Sequence, residues 1–113
     1  MSVNSRRKGK DGELEAAKIL KSHGYDCHRS VQFNGWQGEA DVVGLPGIHI
    51  EVKRVENLNV EKALQQAERD TKNGDKPIVL HRRNRESWKV TMRFDDWIEL
   101  YKAWEVVYAS DDL

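Results

Sequence analysis

Asp41, Glu51 and Lys53 are the residues whose types and spacing could do chemistry. They lie on two β-prone runs, about 39–44 and 48–54, joined by Leu45-Pro46-Gly47. A three-residue hairpin loop with Gly47 in the left-handed conformation pairs Gly44 with Ile48, Val43 with His49, and Asp41 with Glu51. Strand side chains alternate between faces. One face is then Ala40, Val42, Ile48, Ile50 and Val52, all apolar, and the other is Glu39, Asp41, Val43, His49, Glu51 and Lys53. A two-residue loop would pair Asp41 with Ile50 and scramble this division, so the three-residue register is expected. Two carboxylates directly opposed cost up to about 1 kcal/mol unless something offsets them. A divalent cation does so, and hard oxygen ligands suit Mg²⁺ or Mn²⁺. Lys53 points the same way, where its ammonium could serve a phosphate or an attacking water. The competing reading is the solvated face of an antiparallel sheet.

A further carboxylate comes from the helix expected over about 12–23. Glu13 falls on one stripe with Ala16, Ala17 and Leu20, at spacings of three, four and seven. A carboxylate on a buried stripe is costly unless paired, and a third ligand position facing the hairpin is its natural use. Its place in the first turn also suits the helix dipole.

The remaining elements must position these groups. Gly24 should end the first helix, and a short strand should follow over 25–31. Residues 34–38, Asn-Gly-Trp-Gln-Gly, read as a glycine-rich loop. After the hairpin a helix is expected over 60–72, with Val60, Ala63, Leu64 and Ala67 on one face and Asn73-Gly74 as its stop. Strands over 77–81 and 88–92 and a helix over 94–104 follow, the last with Phe94, Trp97, Ile98 and Tyr101 as its apolar stripe. The order α-β-β-β-α-β-β-α predicts an α/β domain of two or three layers around a mixed sheet. Core packing is the simpler account of the aromatic stripe, of Trp88 and of Trp104; a subunit interface is the other.

The 113 residues suffice for one domain, here read as a flexible or partly helical basic arm over 1–10, a single domain over 11–106 and an acidic tail over 107–113. Nineteen basic and nineteen acidic residues cancel, which argues against a generic polyanion binder. The charges are nevertheless segregated. Arg6, Arg7, Lys8 and Lys10 open the chain without an acid, and Arg82, Arg83 and Arg85 cluster later. Such patches can hold phosphates locally. Cys27 is the only cysteine, so no internal disulfide forms. His23, Cys27 and His28 lack the second cluster a zinc site needs. No apolar run reaches membrane-spanning length, and the basic start lacks the apolar core of a signal peptide, so a reducing cytoplasmic setting is expected.

The ordered set of Lys8-Gly9, Glu13, His23-Gly24, Arg29-Ser30, Asp41 and Ile50-Glu51-Val52-Lys53 resembles the PD-(D/E)xK nuclease superfamily. It is most similar to archaeal-type Holliday junction resolvases and related phage nucleases, over about residues 6–54. The resemblance implies a restriction-endonuclease-like core and a Mg²⁺ site, with Mn²⁺ as substitute. The ligands it implies are Glu13, Asp41, Glu51 and the Val52 carbonyl, with Lys53 activating or positioning water. It implies phosphate contacts at Arg29 and Ser30, joined by the two basic clusters, and DNA as substrate, branched or four-way. Symmetric cutting of a junction implies a homodimer. Gln65 and Gln66 are candidate auxiliary residues, because some members use a glutamine from the following helix; His49 and Trp36 are further candidates. Leu14 and the Ala40-Asp41 pair depart from the resolvase pattern. A nuclease for flaps, ends or single strands, and a DNA-binding module that does not cut, are the alternative readings.

Overall fold

The computed structural model describes residues 3–30 and 40–109. Eight elements follow in the expected order: α1 (Val3–Ser22), β1 (His28–Arg29), β2 (Val42–Val43), β3 (Ile48–Arg54), α2 (Val60–Asp70), β4 (Lys76–Arg82), β5 (Lys89–Thr91) and α3 (Phe94–Trp104), the last running on into a wider helical turn over Glu105–Ala109. The strands form one mixed sheet in the order β1-β2-β3-β4-β5. Only β3 and β4 are parallel, as a crossover through α2 requires. This is a restriction-endonuclease-like core.

Strand alternation divides the molecule into layers. Ile50 and Val52 of β3 and Ile78 of β4 turn to one face, where Ala16 and Ala17 of α1 cover them with Val42 and Cys27. Val79 turns to the other face and packs on Ala63 and Leu64 of α2. The three-layer form of the expected architecture is therefore the one adopted. Asn59 starts α2 by accepting the Lys62 amide on its side chain at 3.0 Å. Gly24 (φ +95°) ends α1, with the Tyr25 amide bonded to the Leu20 carbonyl and the Gly24 amide to that of Lys21.

Three expectations need correction. First, α1 starts at Val3 rather than near residue 12, so the basic segment is helical and continuous with the stripe that bears Glu13. No proline or cap interrupts the chain between them, and helix propagation costs little once nucleated. Second, β1 and β2 are two residues each, shorter than the runs expected. Third, α3 is not core: none of its residues is buried. Both faces of the small sheet are already taken by α1 and α2, which leaves no apolar surface for a third helix. Ion pairs fasten α3 instead, from Lys76 to Asp96 and Glu99 and from Arg93 to Glu61 and Glu68. Trp88, by contrast, does pack against the α1-side core. Among the described residues no helix is long and apolar enough to cross a membrane.

Candidate active site

The hairpin takes the three-residue register. Val42 faces Ile50, and Gly47 is left-handed at φ +81°. The pairing does not continue unchanged to Asp41. The Asp41 amide donates to the Ile50 carbonyl at 2.9 Å, so Asp41 and Val42 both stand against Ile50. That two-against-one count is a β-bulge, a device that re-aims a side chain. The expected direct opposition of Asp41 and Glu51 is thus replaced by a displaced one. The Asp41 carboxylate accepts the Val52 amide at 2.8 Å, while its carbonyl accepts the Ser30 amide at 2.9 Å.

Close approach of α1 completes the site. Gly12 is buried, and a Cβ there would lie 3.0 Å from the Arg54 Cβ, so α1 crosses β3 as near as backbone allows. The next residue, Glu13, then lines one cleft of about 440 Å³ with Asp41, Glu51, Val52 and Lys53. Lys8 and Gln66 stand at the same cleft. The apolar stripe that carries Glu13 is real: Ala16 and Ala17 are both buried.

The supposed wet face of the hairpin is covered. Glu51 is 2% exposed and His49 6%, and His49 Nε2 lies 3.1 Å from Glu51 Oε1. A carboxylate buried this deeply needs such a donor. Arg29 Nε donates to Glu13 Oε1 at 2.7 Å. Among the described residues no cation forms an ion pair with Asp41. Burial, with the neighbouring charges of Glu51 and Glu13, raises its carboxyl from the usual 3.8 to about 7, and the Val52 amide opposes only part of that rise.

Among the described residues no three histidine, cysteine or carboxylate side chains are grouped so that they could hold a metal ion as they stand. Glu13 is turned to Arg29 and Glu51 to His49. The donor chemistry of Asp41 and Glu51 still fits a divalent cation. Both are hard oxygen donors, Asp41 just before β2 and Glu51 on β3, and their mutual repulsion is what a cation would relieve.

The other candidate residues are spread more widely. Gln66 reaches the cleft, whereas Gln65 lines its neighbour. Ser30 is buried, with its hydroxyl unbonded among the described residues. Arg82 is committed elsewhere: its guanidinium clasps both Glu15 oxygens at 2.9 Å and lies 5.4 Å over the Trp88 ring. Arg83 is near Glu86 at 3.9 Å, and exposed Arg85 takes a left-handed φ of 63°. Arg7, Lys8 and Lys10 ride on the first half of α1. The Arg6 side chain, and Trp36 with its glycine-rich loop, lie outside the described residues. Sequence reasoning missed Glu15, which joins α1 to Arg82, Trp88 and Arg54 across the sheet. Its only sequence signal was a charge beside the buried stripe.

Comparison with known proteins adds one finding. A family model described as "Phage putative PDDEXK endonuclease" matches residues 4–110. No curated protein and no solved structure matches the chain.

Proposed function

The chain belongs to this PDDEXK endonuclease family, and from that premise we propose that it is a Mg²⁺-dependent endodeoxyribonuclease. One observation carries the site assignment: Glu13 of α1, Asp41 beside β2, and Glu51 and Lys53 of β3 line a single cleft, in which burial and the charges of Glu51 and Glu13 hold the Asp41 carboxyl well above its usual range. Asp41 and Glu51 would hold the cation, with Glu13 and the Val52 carbonyl as further donors. Mn²⁺ would substitute. When bound, the cation lowers the pKa of water and neutralises charge on the reacting phosphate.

The chain's own groups do the rest. The bulge and the Val52 amide fix the Asp41 carboxylate, and His49 fixes that of Glu51. Lys53 presents an ammonium in the cleft, where it orients the water and stabilises the charge that develops on the phosphoryl oxygens. Arg29 holds Glu13 and offers its outer face to a phosphate. Lys8, with Arg7 and Lys10 along the same helix, holds the backbone of the DNA.

The finer reading is a dimer acting on branched or four-way DNA. It is favoured by α3 and the wider turn that follows it, which carry a ladder of Phe94, Trp97, Tyr101, Trp104 and Tyr108 with successive ring centroids 5.6–6.0 Å apart. These rings are exposed and together offer on the order of 500 Å². A pair of copies would bury about 1,000 Å² on them, the lower limit for a specific interface. Two active sites are what a symmetric pair of cuts needs.

The test is incubation with four-way junction, flap, duplex and single-stranded DNA in Mg²⁺ or Mn²⁺. Cleavage of the junction above the other substrates is expected. No cleavage of any of them would overturn the enzyme reading, and preferred cutting of flaps or single strands would overturn junction selectivity alone. Asp41→Asn and Lys53→Ala should each lower the rate at least about a hundredfold; cleavage surviving Asp41→Asn would remove the site assignment.

A further inference from the structure

A second cleft of about 460 Å³ adjoins the catalytic one. The two share Lys53, Val55 and Gln66, so they form one continuous groove with those residues at its waist. Beyond the waist the lining comes largely from α2 and includes Lys62 and Arg69. We propose that the face of α2 bearing Lys62, Gln66 and Arg69 is a phosphodiester-binding track, which receives the DNA strand as it leaves the catalytic cleft. The inference rests on the endonuclease reading and adds a binding surface that the basic clusters of the sequence do not include.

Three observations carry it. Spacings of four and three residues put Lys62, Gln66 and Arg69 on one stripe of the helix. Ala63, Leu64 and Ala67 are the buried face, so the stripe lies outward, at the groove. The acids of the same helix are gathered elsewhere. Glu61 and Glu68 lie on another side of α2, where Arg93 binds both, its guanidinium 2.7 Å from Glu61 Oε2 and 2.8 Å from Glu68 Oε1. That clamp offsets part of their charge and turns both carboxylates toward Arg93, while Lys62 and Arg69 line the groove. Finally, Lys62 and Arg69 are exposed and, among the described residues, make no ion pair, unlike Arg29, Arg82 and Arg93. Cations lining a groove that opens from a phosphate-cleaving site suit the next phosphates of the same strand. Seven residues of helix span about 10 Å, enough for roughly two or three phosphates at about 3.4 Å of duplex axis each.

Binding of a fluorescein-labelled four-way junction and a matching duplex, with Ca²⁺ in place of Mg²⁺, tests the track by anisotropy across a salt series. Lys62→Ala/Arg69→Ala should weaken binding about tenfold or more and reduce the salt slope by about 1.8, the release expected for two phosphate contacts. Both positions are exposed, and circular dichroism would verify the fold. Lys18→Ala/Lys21→Ala removes the same charge from the far half of α1 and should change affinity less than twofold. The track is overturned if the α2 variant binds within twofold of wild type with an unchanged slope, or if the α1 variant loses as much. A wild-type chain that bound no DNA would instead overturn the endonuclease reading on which the track rests.

Discussion

Asp41 is where the site's electrostatics are most exposed to experiment. Its carboxyl titrates near 7 in the folded chain against an ordinary 3.8, first because it is buried and then because Glu51 and Glu13 are close. Between those values the folded chain keeps a proton that the unfolded chain has released. Folding stability therefore falls as the pH rises from about 4 to 7, and the full penalty applies above that window. Asp41→Asn should abolish this slope and make the variant more stable than wild type at pH 8, by an amount on the order of a few kcal/mol. Urea unfolding at pH 5 and pH 8 measures it; identical pH dependence in the two proteins would refute the account. A bound divalent cation competes with the same proton. Mg²⁺ should accordingly raise Tm more at pH 8 than at pH 5, and a larger rise at pH 5 would contradict the assignment of Asp41 as a ligand.

At the scale of elements, the site depends on contacts that hold α1, β1 and the hairpin together. Gly44 is the tightest. It has φ +113°, and a Cβ there would lie 2.1 Å from the Asp26 carbonyl oxygen. Gly44→Ala must strain the backbone and push β2 from the segment before β1, at a cost of about 3 kcal/mol or more. The loss is read as a lower urea midpoint, and a cost under about 1 kcal/mol would show that the hairpin yields easily. Glu15 ties α1 to the far strands through Arg82 and Trp88, and the guanidinium pair holds its carboxyl below the ordinary range. Glu15→Gln should cost about 1–2 kcal/mol at neutral pH. Because its folded pKa is lowered, the carboxylate's contribution is present above its unfolded value and disappears as the pH falls through the folded one. The difference between wild type and Glu15→Gln should therefore shrink in acid.

For the whole molecule, α3 is the apolar surface that the core leaves exposed. Its rings follow one another along the helix and none is buried, and the longest dimension of the protein is 55 Å against 32 and 28 Å. An apolar ladder left on a charged protein marks an interaction surface. Trp97→Asp/Tyr101→Asp should convert a dimer into a monomer in sedimentation analysis while leaving Tm of the monomer nearly unchanged, since neither side chain is buried in the fold. A wild-type chain that sediments as a monomer at micromolar concentration would remove the ladder from the account of function.

Much of this protein was determined locally. The order of eight elements, the Gly47 turn, the Gly24 cap and the two buried helix faces all follow from short-range spacing, because apolar period and turn chemistry act within about ten residues. The grouping of Asp41, Glu51 and Lys53 was legible for the same reason, since one hairpin register relates them. Other features depend on partners distant in the chain, and spacing cannot reveal those. The bulge at Asp41 appears only when the Ile50 carbonyl is seen to serve it. The burial of Glu51 requires α2 to close over the sheet, and the loss of Arg82 to Glu15 joins residues 67 positions apart. The exposure of α3 could not be read from its amphipathic pattern, because periodicity states that a face is apolar and not what covers it. That depends on which layers the other helices have already filled, and here α1 and α2 had filled both.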